Sequence, residues 1–110
     1  MIDQARLQEL EDDFGAEDLG ELIEVFLAET WEGLDTLASL IQDCDPTALR
    51  EQLHFLKGCA LNVGASAFAE RCHRHEKSEQ PVTAADLQGL RTEFQSVCDW
   101  FSAGDLRRSA

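Results

Sequence analysis

The chain has 110 residues, 44% hydrophobic and 28% charged. That balance suits one soluble globular domain, taken to span residues 1–110, and excludes a chain too polar to form a core. Nine Lys and Arg against 22 Asp and Glu give a net charge of -13, which excludes wrapping of nucleic acid and disfavours an anionic membrane surface, since both need cationic side chains.

The apolar residues recur at a helical period almost throughout, and no segment alternates long enough to form a strand. A short first helix is expected over 3–13, with Asp3 as N-cap and Gly15 as a stop. A long second helix over about 17–43 carries Leu19, Leu22, Ile23, Phe26, Leu27, Leu34, Leu37, Ala38 and Ile41. Gly33 interrupts it, at a helix cost of about 1 kcal/mol relative to Ala, and marks a local bend. Asp45-Pro46 is a helix start, with Asp as N-cap and Pro at the first helical position. The stripe that follows, Leu49, Leu53, Leu56, Ala60 and Val63, is the seam of a bundle helix that stops at Gly64.

A fourth helix is expected from about residue 65 to 78, with Phe68, Ala69, Cys72 and Glu76 on its apolar stripe. Pro81 breaks the chain, and Thr83 with Asp86 forms a capping box. The last helix carries Leu87, Leu90, Phe94, Val97 and Phe101 and ends near Gly104, leaving 105–110 as a frayed polar tail. Trp31 and Trp100 read as packing at the core's edge. The fold class is therefore all-α: an antiparallel four-helix bundle with a short additional N-terminal helix.

There is no basic and apolar leader of the kind that directs export, and the densest apolar stretch, 22–28, is too short to span a bilayer. Cys44, Cys59, Cys72 and Cys98 are irregularly spaced with no CxxC, so reduced thiols in a cytoplasmic protein are expected. The charge is uneven. Residues 1–49 hold 14 acidic residues against the single basic residue Arg6, whereas 50–77 hold five basic and three acidic residues and all three histidines.

Within that basic segment, His54 lies one step off the buried seam of the third helix, on its shoulder. Lys57 and Gly58 follow one turn onward, and Arg50 lies one turn back. A mid-helix glycine outside the seam clears space beside the imidazole. An imidazole nucleophile, a neighbouring ammonium and bare backbone suit attack on a phosphoryl group, whose oxygens a cation stabilises. By themselves these residues leave open the alternative of an ordinary surface histidine.

The stretch His54-Phe55-Leu56-Lys57-Gly58-Cys59-Ala60-Leu61-Asn62-Val63-Gly64-Ala65, continued by Phe68, Cys72 and Glu76, resembles the signature of the histidine phosphotransfer (HPt) domain family. The resemblance covers about 23 residues directly, and the helix order agrees over nearly the whole chain. Two positions depart from the pattern: Cys59 stands where a Ser or Ala is usual, and Leu53 where a small residue often precedes the histidine.

The resemblance implies a four-helix bundle that accepts a phosphoryl group from the phospho-aspartate of a response-regulator receiver domain and passes it to another. It makes His54 the phospho-acceptor, has Lys57 stabilise the phosphoryl oxygens and Gly58 give access, and places Arg50, Phe55, Leu61 and Asn62 at the docking edge. It implies no cofactor in this chain and no ATP site, a divalent cation on the partner receiver, and a monomer served by receivers or a hybrid sensor histidine kinase. A stand-alone protein and a domain of a larger kinase both fit. The alternative is a helical adaptor that binds a kinase or receiver without being phosphorylated. Cys72, His73 and His75 lack a second ligand pair for zinc; Cys72 reads as core, and the two histidines as solvated.

Overall fold

A computed structural model describes residues 2–109, with side chains for 2–103. Its elements are α1 (Gln4–Phe14), α2 (Ala16–Asp43), α3 (Pro46–Asn62), α4 (Ser66–Lys77) and α5 (Ala84–Ser109), with no strand among the described residues. The expected all-α bundle with a short first helix is what forms.

Local chemistry sets the helix boundaries. Asp3 accepts from the Arg6 amide at 3.1 Å and Asp45 from the Ala48 amide at 3.1 Å, each satisfying a first-turn N–H. At the start of α5, Thr83 Oγ1 accepts from the Asp86 amide at 3.1 Å, while Asp86 accepts from the Thr83 amide at 3.0 Å. Asp thus fills the capping-box position usually held by Glu or Gln. Hydrogen bonds from Thr83, the backbone one foremost, hold the Asp86 carboxyl below the usual carboxylate range.

Helices α2 to α5 form the bundle, and Phe94 of α5 is its aromatic hub. Phe26 and Trp31 of α2 meet it edge-on at 5.8 and 4.8 Å, and Phe68 of α4 lies 5.4 Å away. Trp31 and Trp100 are partly buried against the core, as expected for edge positions. The α3 seam is buried throughout. α1 closes one end: the Asp3 amide donates to Gly64 O at 2.6 Å, and Arg6 Nε to Asn62 O at 3.2 Å. Gly64 is required there, because its φ is +78° and a Cβ would lie 2.8 Å from Asp3 O.

Two expectations need correction. Gly33 does not interrupt α2, which runs unbroken through it, and it is a point of close approach to α3: a Cβ there would lie 2.6 Å from Leu56 Cδ2, and Gln52 Nε2 donates to Gly33 O at 3.1 Å. α5 does not stop near Gly104 but continues to Ser109. A helix-interior glycine weakens a helix without ending it. The remainder of the expected frayed tail, Ala110, and the side chains of 104–110 lie outside the described residues.

Candidate functional site

The α3 stripe that buries Leu53 and Leu56 leaves the His54 side chain 68% exposed on the shoulder facing α4. Three further side chains converge there. Glu76 Oε2 lies 3.1 Å from His54 Nδ1, and Glu76 Oε1 lies 2.8 Å from Lys57 Nζ. Lys57 Nζ also lies 3.3 Å from His73 Nδ1. One carboxylate therefore bridges an imidazole and an ammonium presented from α3, and a second imidazole also meets the ammonium.

The helix geometry accounts for this convergence. On α4, Cys72 is buried and Glu76 is one turn further along the same face, so Glu76 leaves the core where α3 carries Lys57. Glu76 also lies in the last turn of α4, where the helix dipole disfavours an anion. Lys57 compensates: its hydrogen bond, ahead of that from His54, holds the Glu76 carboxyl below the usual carboxylate range against the opposing effect of burial. Beneath the pair, burial and then the charge of Glu76 push the Cys72 thiol up to about 12.

Hydrogen bonding assigns the roles of the two imidazole nitrogens. An ionised carboxylate only accepts, so the proton of neutral His54 sits on Nδ1 and the lone pair on Nε2. Lys57 donates to His73, whose Nδ1 is therefore the unprotonated nitrogen. Gly58 is exposed, and a Cβ at that position meets nothing within 4 Å. Packing does not require the glycine, and the surface next to the imidazole is open.

Sequence reasoning put Glu76 on the apolar stripe and both α4 histidines in solvent. The structure instead turns Glu76 toward His54 and Lys57, sets exposed His73 against Lys57, and leaves His75 half-buried in a cavity wall. Lys57 is not a free cation but a largely covered one, 17% exposed and held by Glu76. The spacing of His73 and Glu76, three apart on α4, was the available signal; which α3 residues they meet depends on how α3 and α4 pack together.

The expected docking residues Arg50, Phe55, Leu61 and Asn62 are all exposed on α3, the helix that carries His54. Arg50 is exposed at the rim of a cavity of about 360 Å³ between the α2–α3 turn and the α4–α5 linker. Phe55 faces a groove on the α2 side, with Glu29, Glu32, Asp35 and Gln52. Leu61 and Asn62 are exposed near the end of α3. Among the described residues, no three His, Cys, Asp or Glu side chains are grouped to hold a metal, and no helix is long and apolar enough to cross a membrane.

The chain is 32% identical over 60 residues to HSPB1-associated protein 1 of Homo sapiens, a match covering 54% of this chain and 12% of that protein's length. No solved structure matches significantly. The model of the Hpt domain matches residues 21–100, which takes in most of α2, all of α3 and α4, and the described side chains of α5 as far as Trp100. The chain belongs to the Hpt domain family.

Proposed function

We propose that His54 is the phospho-acceptor of a phosphorelay, taking a phosphoryl group from a receiver-domain phospho-aspartate and returning it to another receiver. The observation that carries this reading is the hydrogen bond between His54 Nδ1 and Glu76, which leaves Nε2 as the lone-pair nitrogen of an exposed ring. In the step, Nε2 attacks phosphorus, the N–P bond forms, the aspartyl O–P bond breaks, and the carboxylate leaves with the bond's electron pair. The ring keeps its Nδ1 proton and becomes cationic, and Glu76 stabilises that charge as it develops.

Lys57 has two parts in this reading. It holds Glu76 in place and cancels its charge, so an incoming phosphoryl group meets a site without net negative charge. In this reading its ammonium, though largely covered, also stabilises the phosphoryl oxygens. Gly58 leaves room for the donor. The chain acts as a carrier, with no nucleotide chemistry of its own, and the receiver brings the aspartate and its divalent cation. The four free thiols support a cytoplasmic setting. The whole chain serves as one such module.

The reading is tested with labelled receiver domains against the wild type and His54→Gln. Transfer to the wild type alone, in an acid-labile and alkali-stable linkage, supports it. Binding of receivers without transfer would favour the non-phosphorylated adaptor.

A further inference from the structure

The cavity between the α2–α3 turn and the α4–α5 linker takes no part in the chemistry at His54. Its volume is about 360 Å³, at the small end of the range of ligand pockets. Ile41 and Val82, both partly buried against the core, and buried Leu49 and Leu53 supply its apolar wall. It opens where α2 ends, α3 begins and α4 gives way to the linker 78–83.

The polar side of the cavity favours an anion. Arg50 stands at the rim with no ion pair among the described residues, whereas Arg6, Arg71 and Arg91 each hold a carboxylate. Half-buried His75 also lines the wall. The Asp86 carboxyl, on which the charge of His75 acts, is already engaged by Thr83. Ser78 Oγ accepts from the Gln80 amide at 3.1 Å, which leaves its hydroxyl proton to donate. Glu79 borders the cavity too, but it is exposed on the linker, where water and salt screen it.

We propose that this cavity binds a medium-chain carboxylate, with its hydrocarbon on Ile41, Leu49, Leu53 and Val82 and its head group held by Arg50, His75 and Ser78. A guanidinium takes a carboxylate through two parallel hydrogen bonds, and removing the hydrocarbon from water supplies the affinity. An inorganic anion would leave the apolar wall wet, and an alkyl cation would meet Arg50 with like charge; an amphiphilic anion satisfies both sides. The net charge of -13 repels anions from the molecule as a whole, so a preference for one here must come from the lining residues. The proposal does not depend on the phosphorelay reading.

The test adds octanoate to the full chain, below its micelle-forming concentration, and maps amide shifts by NMR. Octylammonium, with the same chain and the opposite charge, is the comparison. The expected result is saturable shifts at Ile41, Leu49, Arg50, His75 and Val82 with octanoate and none there with octylammonium. Octanoate should also slow alkylation of exposed Cys44, which lines the cavity. Arg50→Gln should weaken octanoate binding by about tenfold. Arg91→Gln makes the same change of charge at a residue paired with Asp35 and should leave binding unchanged. Val82→Phe fills the space and should abolish binding.

No saturable shifts, shifts centred elsewhere, equal binding of octylammonium, or equal weakening by Arg50→Gln and Arg91→Gln would each overturn the proposal. So would full-strength binding to Val82→Phe with its circular dichroism unchanged, which would place the ligand outside the cavity. Arg50 is exposed and unpaired, so Arg50→Gln keeps the fold and decides the matter even where Val82→Phe disturbs it.

Discussion

Glu76 holds His54 by a single carboxylate oxygen, with Oε2 3.1 Å from Nδ1, while its other oxygen is engaged by Lys57 at 2.8 Å. The charge of Glu76 is thus anchored before any phosphoryl group arrives. Glu76→Gln keeps an acceptor for Nδ1 but removes that charge. Phosphoryl transfer to His54 should slow by about tenfold, in line with the extra strength of a hydrogen bond to a charged group, with helical circular dichroism unchanged. Initial transfer rates from one receiver to wild type and variant check this; equal rates would take Glu76 out of the reaction.

The same carboxyl gives the fold a pH dependence. Its folded pKa lies below the ordinary 4.5, so its contribution is present above that value and is lost as pH falls through the folded pKa. Asp86, held down by Thr83, acts in the same direction. Urea midpoints measured from about pH 6 to about pH 3 should fall on acidification, and less steeply in Glu76→Gln. An identical acid limb in the two proteins would contradict this.

Two mid-helix glycines predict opposite outcomes for one substitution. Gly33→Ala places a Cβ 2.6 Å from Leu56 Cδ2 and should destabilise by about 1–3 kcal/mol, the range for overpacking. Gly58→Ala meets nothing within 4 Å and should stabilise α3 by up to about 1 kcal/mol, while slowing transfer by narrowing the approach to His54. Thermal melts and transfer rates on the two variants separate packing from access.

These contrasts mark how far the sequence alone reaches. Helix starts are local, so Asp45-Pro46 and the Thr83–Asp86 box could be read directly, and so could the seam of Leu49, Leu53, Leu56 and Ala60 that places His54 on a shoulder. The reason for Gly33 was not legible, because its demand comes from Leu56, 23 positions away. Glu76 and His73 were missed as partners of His54 and Lys57 for the same reason: a helical wheel gives each residue's face, not which residue of another helix lies opposite. Gly104 misled because a glycine cue carries no knowledge of whether packing continues the helix.

The cysteines should differ sharply toward a thiol reagent. Cys44 is exposed at the end of α2, whereas Cys72 is buried with its thiol pushed up to about 12. At pH 8 the thiolate is the reactive form, so Cys44 should label first and Cys72 only on unfolding. Mass spectrometry of a labelling time course checks the order; early labelling of Cys72 would contradict its place in the core.

The central claim is that phosphorus becomes bonded to His54 on an intact bundle. Its most direct test is transfer of label from a receiver panel to wild type and to His54→Gln, with circular dichroism and a thermal melt of both proteins. The account predicts acid-labile, alkali-stable label on the wild type, none on the variant, and nearly identical melts, since the His54 side chain is 68% exposed. Equal labelling of the variant would contradict His54 as the acceptor, and a large drop in its thermal midpoint would contradict the exposed position assigned to it.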